Sequence, residues 1–265
     1  MPTVDTNGLK IYYEVHGGGE PLVMIMGLGA NLDWWGPDLI ERLARRYRLL
    51  LFDNRGAGRT EKPAARYSIR MFADDTAALM DAVGIPRAHV LGVSMGGMIA
   101  QELALQHPQR VERLILACTS CGGFRSAPPS LKALAWLLDR RAPPEVVKER
   151  QLRLLFPERF LAGHRDEIEA YWRRAGRWPI PPAAFRRQFG AILRFNACGR
   201  LSRIQAPTLI MTGDEDILVP PRNAEILAAR IPRARLEIFP GGGHGFIAQF
   251  PDRFCEVVED FLSSP

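Results

Sequence analysis

The segment Gly92-Val93-Ser94-Met95-Gly96-Gly97 sets a serine between glycines, where an apolar run (Ala88-His89-Val90-Leu91) meets a helix-forming one (Met98 to Leu105). A serine hydroxyl is a weak nucleophile at neutral pH. It attacks a carbonyl carbon only when a histidine takes its proton and a carboxylate holds that histidine in the right tautomer. A sharp strand-to-helix turn, closed by glycines because no larger residue allows so near an approach, exposes the hydroxyl and aims backbone N–H groups at whatever it attacks. The simpler use of Ser94 is as a helix N-cap, which needs no flanking glycines. Both partners of a triad lie further along the chain. The apolar run Thr208–Thr212 leads into Gly213-Asp214-Glu215-Asp216, and Leu236–Phe239 leads into Pro240-Gly241-Gly242-Gly243-His244-Gly245. Asp214 and Asp216 are both candidate acids. His244 is the histidine that follows a strand within glycines, whereas His16, His89, His107 and His164 read as structural.

The order serine, acid, histidine, each just after a strand, resembles the α/β-hydrolase superfamily over nearly the whole chain. Leu22–Gly29 is similar to that family's strand and oxyanion loop, with Met26 where most members carry histidine. Asp53-Asn54-Arg55-Gly56-Ala57-Gly58-Arg59-Thr60 resembles its glycine-rich turn, with Thr60 where serine is commoner. The resemblance implies Ser94, Asp216 and His244 as the catalytic residues, since the family's glycine, acid and proline spacing fits Gly213, Asp216 and Pro220. It implies the backbone N–H groups of Leu28 and Met95 as the oxyanion hole. Asp53 and Arg55 are expected to fix their turn, and Asp214 to be a turn residue. Trp34, Trp35, Phe124, Leu218 and Phe246 are candidate pocket residues, one of the two tryptophans being expected in the core.

Around these residues strands and helices must alternate. Asn7-Gly8 signals a hairpin, so the chain opens with antiparallel strands. Strands are expected near 22–26, 48–53, 88–93, 112–118, 207–212 and 235–239, with helices near 36–45, 68–83, 95–106, 220–230 and 249–262. Such alternation predicts an α/β fold, a mostly parallel sheet with helices on both faces and its ligand beyond the carboxyl ends of the strands. The pattern breaks near 122–206, where helical stretches such as Leu131–Arg141 and Pro144–Leu155 stand between proline pairs. The expected organisation is a hydrolase core, 1–122 and 206–265, with a helical cap, 123–205.

The 265 residues suffice for one large domain. Between Phe124 and Arg200 there are 16 Lys and Arg against 7 Asp and Glu, while the rest of the chain holds 19 against 22. No aromatic-interleaved basic stripe accompanies that excess, so no nucleic-acid partner is expected. Solvated helix faces account for it, and the sharper reading is an anionic substrate or an acidic protein partner at the cap. No stretch is long and apolar enough for a membrane span and no secretory signal is recognisable, so a cytoplasmic protein is expected. The four cysteines do not read as a disulfide framework, and Cys118-Thr119-Ser120-Cys121 reads as packing at a strand end. Gly56-Ala57-Gly58 lacks the third glycine of a dinucleotide loop, and no metal or organic cofactor is expected. The expected activity is that of a serine carboxylesterase working on small-molecule esters through an acyl-enzyme. Related readings are a lactonase or thioesterase, a cofactor-free perhydrolase of haloperoxidase type, a methyl esterase for substrates on an acidic carrier protein, and a ligand sensor that keeps the triad. A serine at 94 argues against epoxide hydrolases and haloalkane dehalogenases, whose nucleophile is aspartate.

Overall fold

The computed structural model describes residues 2–139 and 141–264. Eight strands form one sheet in the order β1-β2-β4-β3-β5-β6-β7-β8. β1 (Thr3–Thr6) and β2 (Leu9–His16) are antiparallel and joined at Asn7-Gly8, both in the left-handed region (φ 52° and 65°) that a two-residue hairpin turn demands. β2 pairs antiparallel with β4 (Tyr47–Phe52). From there β3 (Glu20–Ile25), β5 (Ala88–Val93), β6 (Val111–Ala117), β7 (Thr208–Gly213) and β8 (Ala234–Phe239) continue in parallel. β5 and β7 are buried at every position, as strands covered on both faces must be.

Two apolar layers cover the sheet. On one face α2 (Ile69–Ala82), α3 (Met95–Gln106) and α9 (Arg222–Ala228) bury Phe72, Ile99, Leu103 and Leu227. On the other, α1 (Pro37–Ala44), the short α10 (Phe246–Gln249) and α11 (Pro251–Ser263) bury Leu39, Leu43, Phe246, Phe254 and Val258. α2 starts at Ser68, whose hydroxyl accepts from the Met71 N–H, and α1 and α11 each open on a proline, whose fixed φ suits a first helical turn.

Among the described residues five helices run between β6 and β7: α4 (Leu131–Leu138), α5 (Pro144–Leu155), α6 (Glu158–Gly163), α7 (Arg165–Ala175) and α8 (Pro182–Arg194). A small apolar cluster of their own (Leu152, Phe156, Leu161, Ile168) holds α5 to α7 together. The segment leaves and re-enters the core side by side. Ala197 N–H donates to the Cys121 carbonyl (2.8 Å), and a Cys121–Cys198 disulfide joins the two ends. This corrects the reading of Cys118 and Cys121 as simple packing: Cys121 pairs with a residue 77 positions away, which sequence spacing does not reveal, and Cys118 and Cys255 are free and buried. In the chain-entropy account, closing a loop of that length restricts the unfolded chain by about 4.5 kcal/mol. Among the described residues no helix is long and apolar enough to cross a membrane.

Candidate active site

Ser94 joins β5 to α3 with φ 57° and ψ −118°, a conformation that costs a non-glycine residue on the order of 1–3 kcal/mol. Its surroundings impose that geometry. Its N–H donates to the Ala117 carbonyl at the end of β6 (2.9 Å), and its own carbonyl accepts from Thr119 Oγ1 (2.7 Å) and the Gly97 N–H (2.9 Å). A Cβ on Gly92 would lie 2.2 Å from the Gly96 carbonyl oxygen, and one on Gly96 would lie 2.1 Å from that of Ile25. Strand, helix and the neighbouring β3 therefore meet closer than any side chain permits. The Ser94 side chain caps nothing: its hydroxyl has no hydrogen-bond partner among the described residues. Gly27 passes beside it, since a Cβ there would stand 3.6 Å from Ser94 Oγ.

Asp216 and His244, from the loops after β7 and β8, are both buried, and His244 Nδ1 lies 2.7 Å from Asp216 Oδ2. The other carboxylate oxygen, Oδ1, accepts from the N–H groups of Leu218 (2.9 Å) and Val219 (2.8 Å), which locks the carboxylate in one orientation. Nδ1 therefore carries the proton given to Asp216 whenever the ring is neutral, which leaves Nε2 as the basic nitrogen. Asp214 is exposed and accepts from the Gly241 N–H (2.6 Å), so it ties the two loops together rather than holding the imidazole.

Cys118, the residue after β6, ties the serine turn to this pair. It adopts a positive φ (40°), and its sulfur sits within hydrogen-bond reach of the Ser94 backbone. The donor atoms of Cys118, Asp216 and His244 all lie within 4.8 Å of one another. Burial, and then the Asp216 charge, push the thiol well above its ordinary pKa, so it remains a neutral thiol. A protonated thiol beside an imidazole nitrogen already engaged by the carboxylate is a poor donor set for a cation.

Leu28 and Met95 stand at the turn after β3 and at the first position of α3, where a backbone N–H has no intrahelical acceptor. Two side chains absent from the sequence-based candidates hold the Leu28 loop. Asn54 Nδ2 donates to the Met26 carbonyl (2.8 Å), so where the resemblance has histidine, this loop is fixed through its backbone. Gln188, fully buried on α8, accepts from the Gly29 N–H with Oε1 (2.9 Å) and donates from Nε2 to the Arg55 carbonyl (2.8 Å). A glutamine in a charged helix carries no sequence signal for such a role, because only the packing of α8 turns it inward. Asp53 and Arg55 do fix their turn. Asp53 accepts from the Leu32 N–H (2.8 Å) and from Arg59 Nε (2.8 Å), and Arg55 forms a bidentate pair with buried Asp75 (2.7 and 2.6 Å).

The pocket candidates divide. Trp34 packs edge-on against Tyr171 and Trp172 of α7, each at 5.7 Å, and its carbonyl accepts from the Tyr171 hydroxyl (3.0 Å), so it joins the insert to the core. Trp35 is a core residue. Leu218 is half-buried and serves Asp216 through its backbone. Two expectations are corrected. Phe124 is fully exposed, on a loop that turns it to solvent, and Phe246 is wholly buried between Phe239 (4.6 Å) and Phe254 (6.2 Å) as part of the core. Both are apolar residues next to the site in sequence, and proximity along the chain says nothing of the direction a side chain takes.

With this geometry in view, residues 20–251 match the family described as the alpha/beta hydrolase fold. The chain belongs to that family and is a hydrolase. It is 34% identical to "Putative carbamate hydrolase RutD" of Azorhizobium caulinodans, covering 98% of both chains. Among solved structures it is similar to Est816, described as an N-acyl homoserine lactone degrading enzyme, with TM-score 0.84 and 31% identity over 98% of this chain and 100% of that one. The enol-lactonase of Burkholderia xenovorans shares the fold, with TM-score 0.87 and 24% identity over 99% of this chain and 100% of that one.

Proposed function

We propose that this chain is a serine carboxylesterase that cleaves small carboxylic esters through an acyl-enzyme, with Ser94 as nucleophile, His244 as general base and acid, and Asp216 as the group that orients it. The observation that supports the reading is the buried 2.7 Å contact of His244 Nδ1 with a doubly anchored Asp216, close to Cys118, whose neighbour Ala117 accepts a hydrogen bond from the N–H of Ser94 at positive φ. His244 Nε2 takes the hydroxyl proton as Ser94 Oγ adds to the acyl carbon, and the Leu28 and Met95 N–H groups receive the oxyanion. Nε2 then protonates the leaving alcohol, and a water activated by the same imidazole splits the acyl-enzyme. The helices between β6 and β7 act as a cap, because α7 and α8 hold the oxyanion loop and its flank.

The names of the relatives favour a second reading of the same chemistry. A carbamate and an N-acyl homoserine lactone also present an acyl carbon bearing a heteroatom leaving group. A panel of nitrophenyl esters from short to long chain, an N-acyl homoserine lactone and an aryl carbamate, run on the wild type and on Ser94→Ala, tests both. Turnover of esters that vanishes in Ser94→Ala is expected. Lactone or carbamate turnover well above that of every ester moves the assignment to that class, and Ser94→Ala retaining wild-type rates ends the reading.

A further inference from the structure

The basic charge of the insert is not evenly distributed in its partners. On α5 to α7 most of the cations have acidic partners, Lys148 with Glu169, Arg150 with Asp139, Arg153 and Arg165 with Glu149, and Arg159 with Glu215, while Arg173 and Arg174 form no ion pair among the described residues. On α8 the pattern differs. Ala183, Arg187, Gly190 and Arg194 form a stripe at helical spacing (i, i+4, i+7, i+11) on the face away from Gln188, and this stripe faces the loop 64–67 across a groove of about 440 Å³. Arg66 and Arg186 complete the lining, which contains no carboxylate. None of the four guanidiniums has an acidic partner among the described residues.

A neutral group holds one of them in place. Arg194 Nη2 donates to the Tyr67 carbonyl (2.8 Å), and Arg187 lines the groove with Tyr67, whose ring is buried beneath it. Gly190 leaves room for this arrangement, because a Cβ there would come to 3.2 Å from Arg194 Nη1. Arg66 and Arg186 are exposed and form no hydrogen bond or ion pair among the described residues. Four like charges around one concavity repel each other unless an anion lies among them, and the rigid fork of a guanidinium matches phosphate oxygens two at a time.

We infer that this groove is a binding site for a small polyanion of the phosphoanhydride class, a ligand carrying a diphosphate or triphosphate group. A bridging phosphate carries one negative charge and a terminal one close to two near neutral pH, so a diphosphate with about three charges or a triphosphate with about four comes close to balancing four arginines. The volume suits a small molecule. An acidic protein surface is the less fitting occupant, since the walls are alanine and glycine and offer no exposed aromatic or large aliphatic anchor of the kind that protein interfaces use. None of the lining residues belongs to the triad or the oxyanion loop, and the inference does not rest on the esterase reading.

The test is calorimetric titration of the whole protein at low ionic strength with sodium pyrophosphate and sodium tripolyphosphate. One-to-one binding is expected, weakened by about tenfold or more in Arg66→Gln/Arg186→Gln, a double variant that breaks no bond within the chain. Arg45→Gln/Arg222→Gln removes the same charge from ordinary surface ion pairs and should bind within about twofold of the wild type. Ser94→Ala should bind as the wild type does. The inference is overturned by equal weakening in both double variants, by no binding at about millimolar probe, or by a hexaglutamate peptide binding as tightly as tripolyphosphate, which would make the groove an acidic-protein surface.

Discussion

Replacing Gln188 with leucine separates a structural role for the insert from a part in the chemistry. The side chain is fully buried and both ends of its amide are used, at 2.9 Å to the Gly29 N–H and 2.8 Å to the Arg55 carbonyl. Leucine fills similar space and orphans both backbone groups. Each buried orphan costs roughly 1–3 kcal/mol, so a loss of about 2–5 kcal/mol of stability is expected. Gly29 is the neighbour of Leu28, so release of this contact also lets the Leu28 N–H swing away from the oxyanion position. One such donor is worth about 3 kcal/mol, and partial misplacement should lower kcat by roughly 10- to 100-fold with KM little changed. Asn223→Leu serves as the comparison. That residue is an equally buried amide clamp whose Oδ1 and Nδ2 bond both backbone groups of Ala127, each at 2.9 Å, without touching the oxyanion loop. The assay is kcat and KM for a nitrophenyl ester, normalised to active sites titrated with a fluorophosphonate, beside thermal unfolding of both variants. Wild-type kcat in Gln188→Leu with a lowered Tm would refute the coupling, as would an equal kcat loss in Asn223→Leu.

Three further outcomes are expected. Asp216→Asn keeps an oxygen for the Leu218 and Val219 amides but turns an N–H toward His244 Nδ1, which reverses the tautomer; kcat should fall about 10⁴-fold, and a loss under tenfold would count against the assigned orientation. Gly96→Ala would set a Cβ 2.1 Å from the Ile25 carbonyl oxygen, so Tm should drop sharply or soluble protein fail to accumulate, and an unchanged melting curve would show the turn to be looser than described. A disulfide reagent at pH 8 should find no reactive thiol in the native protein, two after unfolding and four after unfolding with reduction. Burial pushes Cys118 well up and Cys255 up to about 11, so the reactive thiolate of Cys255 should grow only as pH rises toward that value. Four thiols after unfolding without reduction would contradict the Cys121–Cys198 pairing.

Local chemistry along the chain determined a great deal. Asn7-Gly8 specified the hairpin because few other dipeptides accept two positive φ values, and β5, α3 and α5 fall at the residues expected from apolar pattern and flanking prolines. The glycines around Ser94 announced the turn for a steric reason that the 2.2 Å and 2.1 Å approaches make explicit. The family resemblance favoured Asp216 over Asp214 through the spacing to Gly213 and Pro220, and Asp216 is the one that meets His244.

Tertiary structure decided what depends on contacts between segments far apart in sequence. The pairing of Cys121 with Cys198, the burial of Cys118 against Asp216, and the Gln188 clamp each require β6, β7 and the insert to be assembled first. Phe124 and Phe246 sit beside the site in sequence, yet one faces solvent and the other the core, because side-chain direction follows from the packing of the whole element. The charge of the insert was countable from composition, but only the placement of α8 against residues 64–67 gathered four arginines around one groove. A residue's type and spacing constrain its own backbone, whereas its neighbours across the fold are chosen by how the apolar faces of distant elements come together.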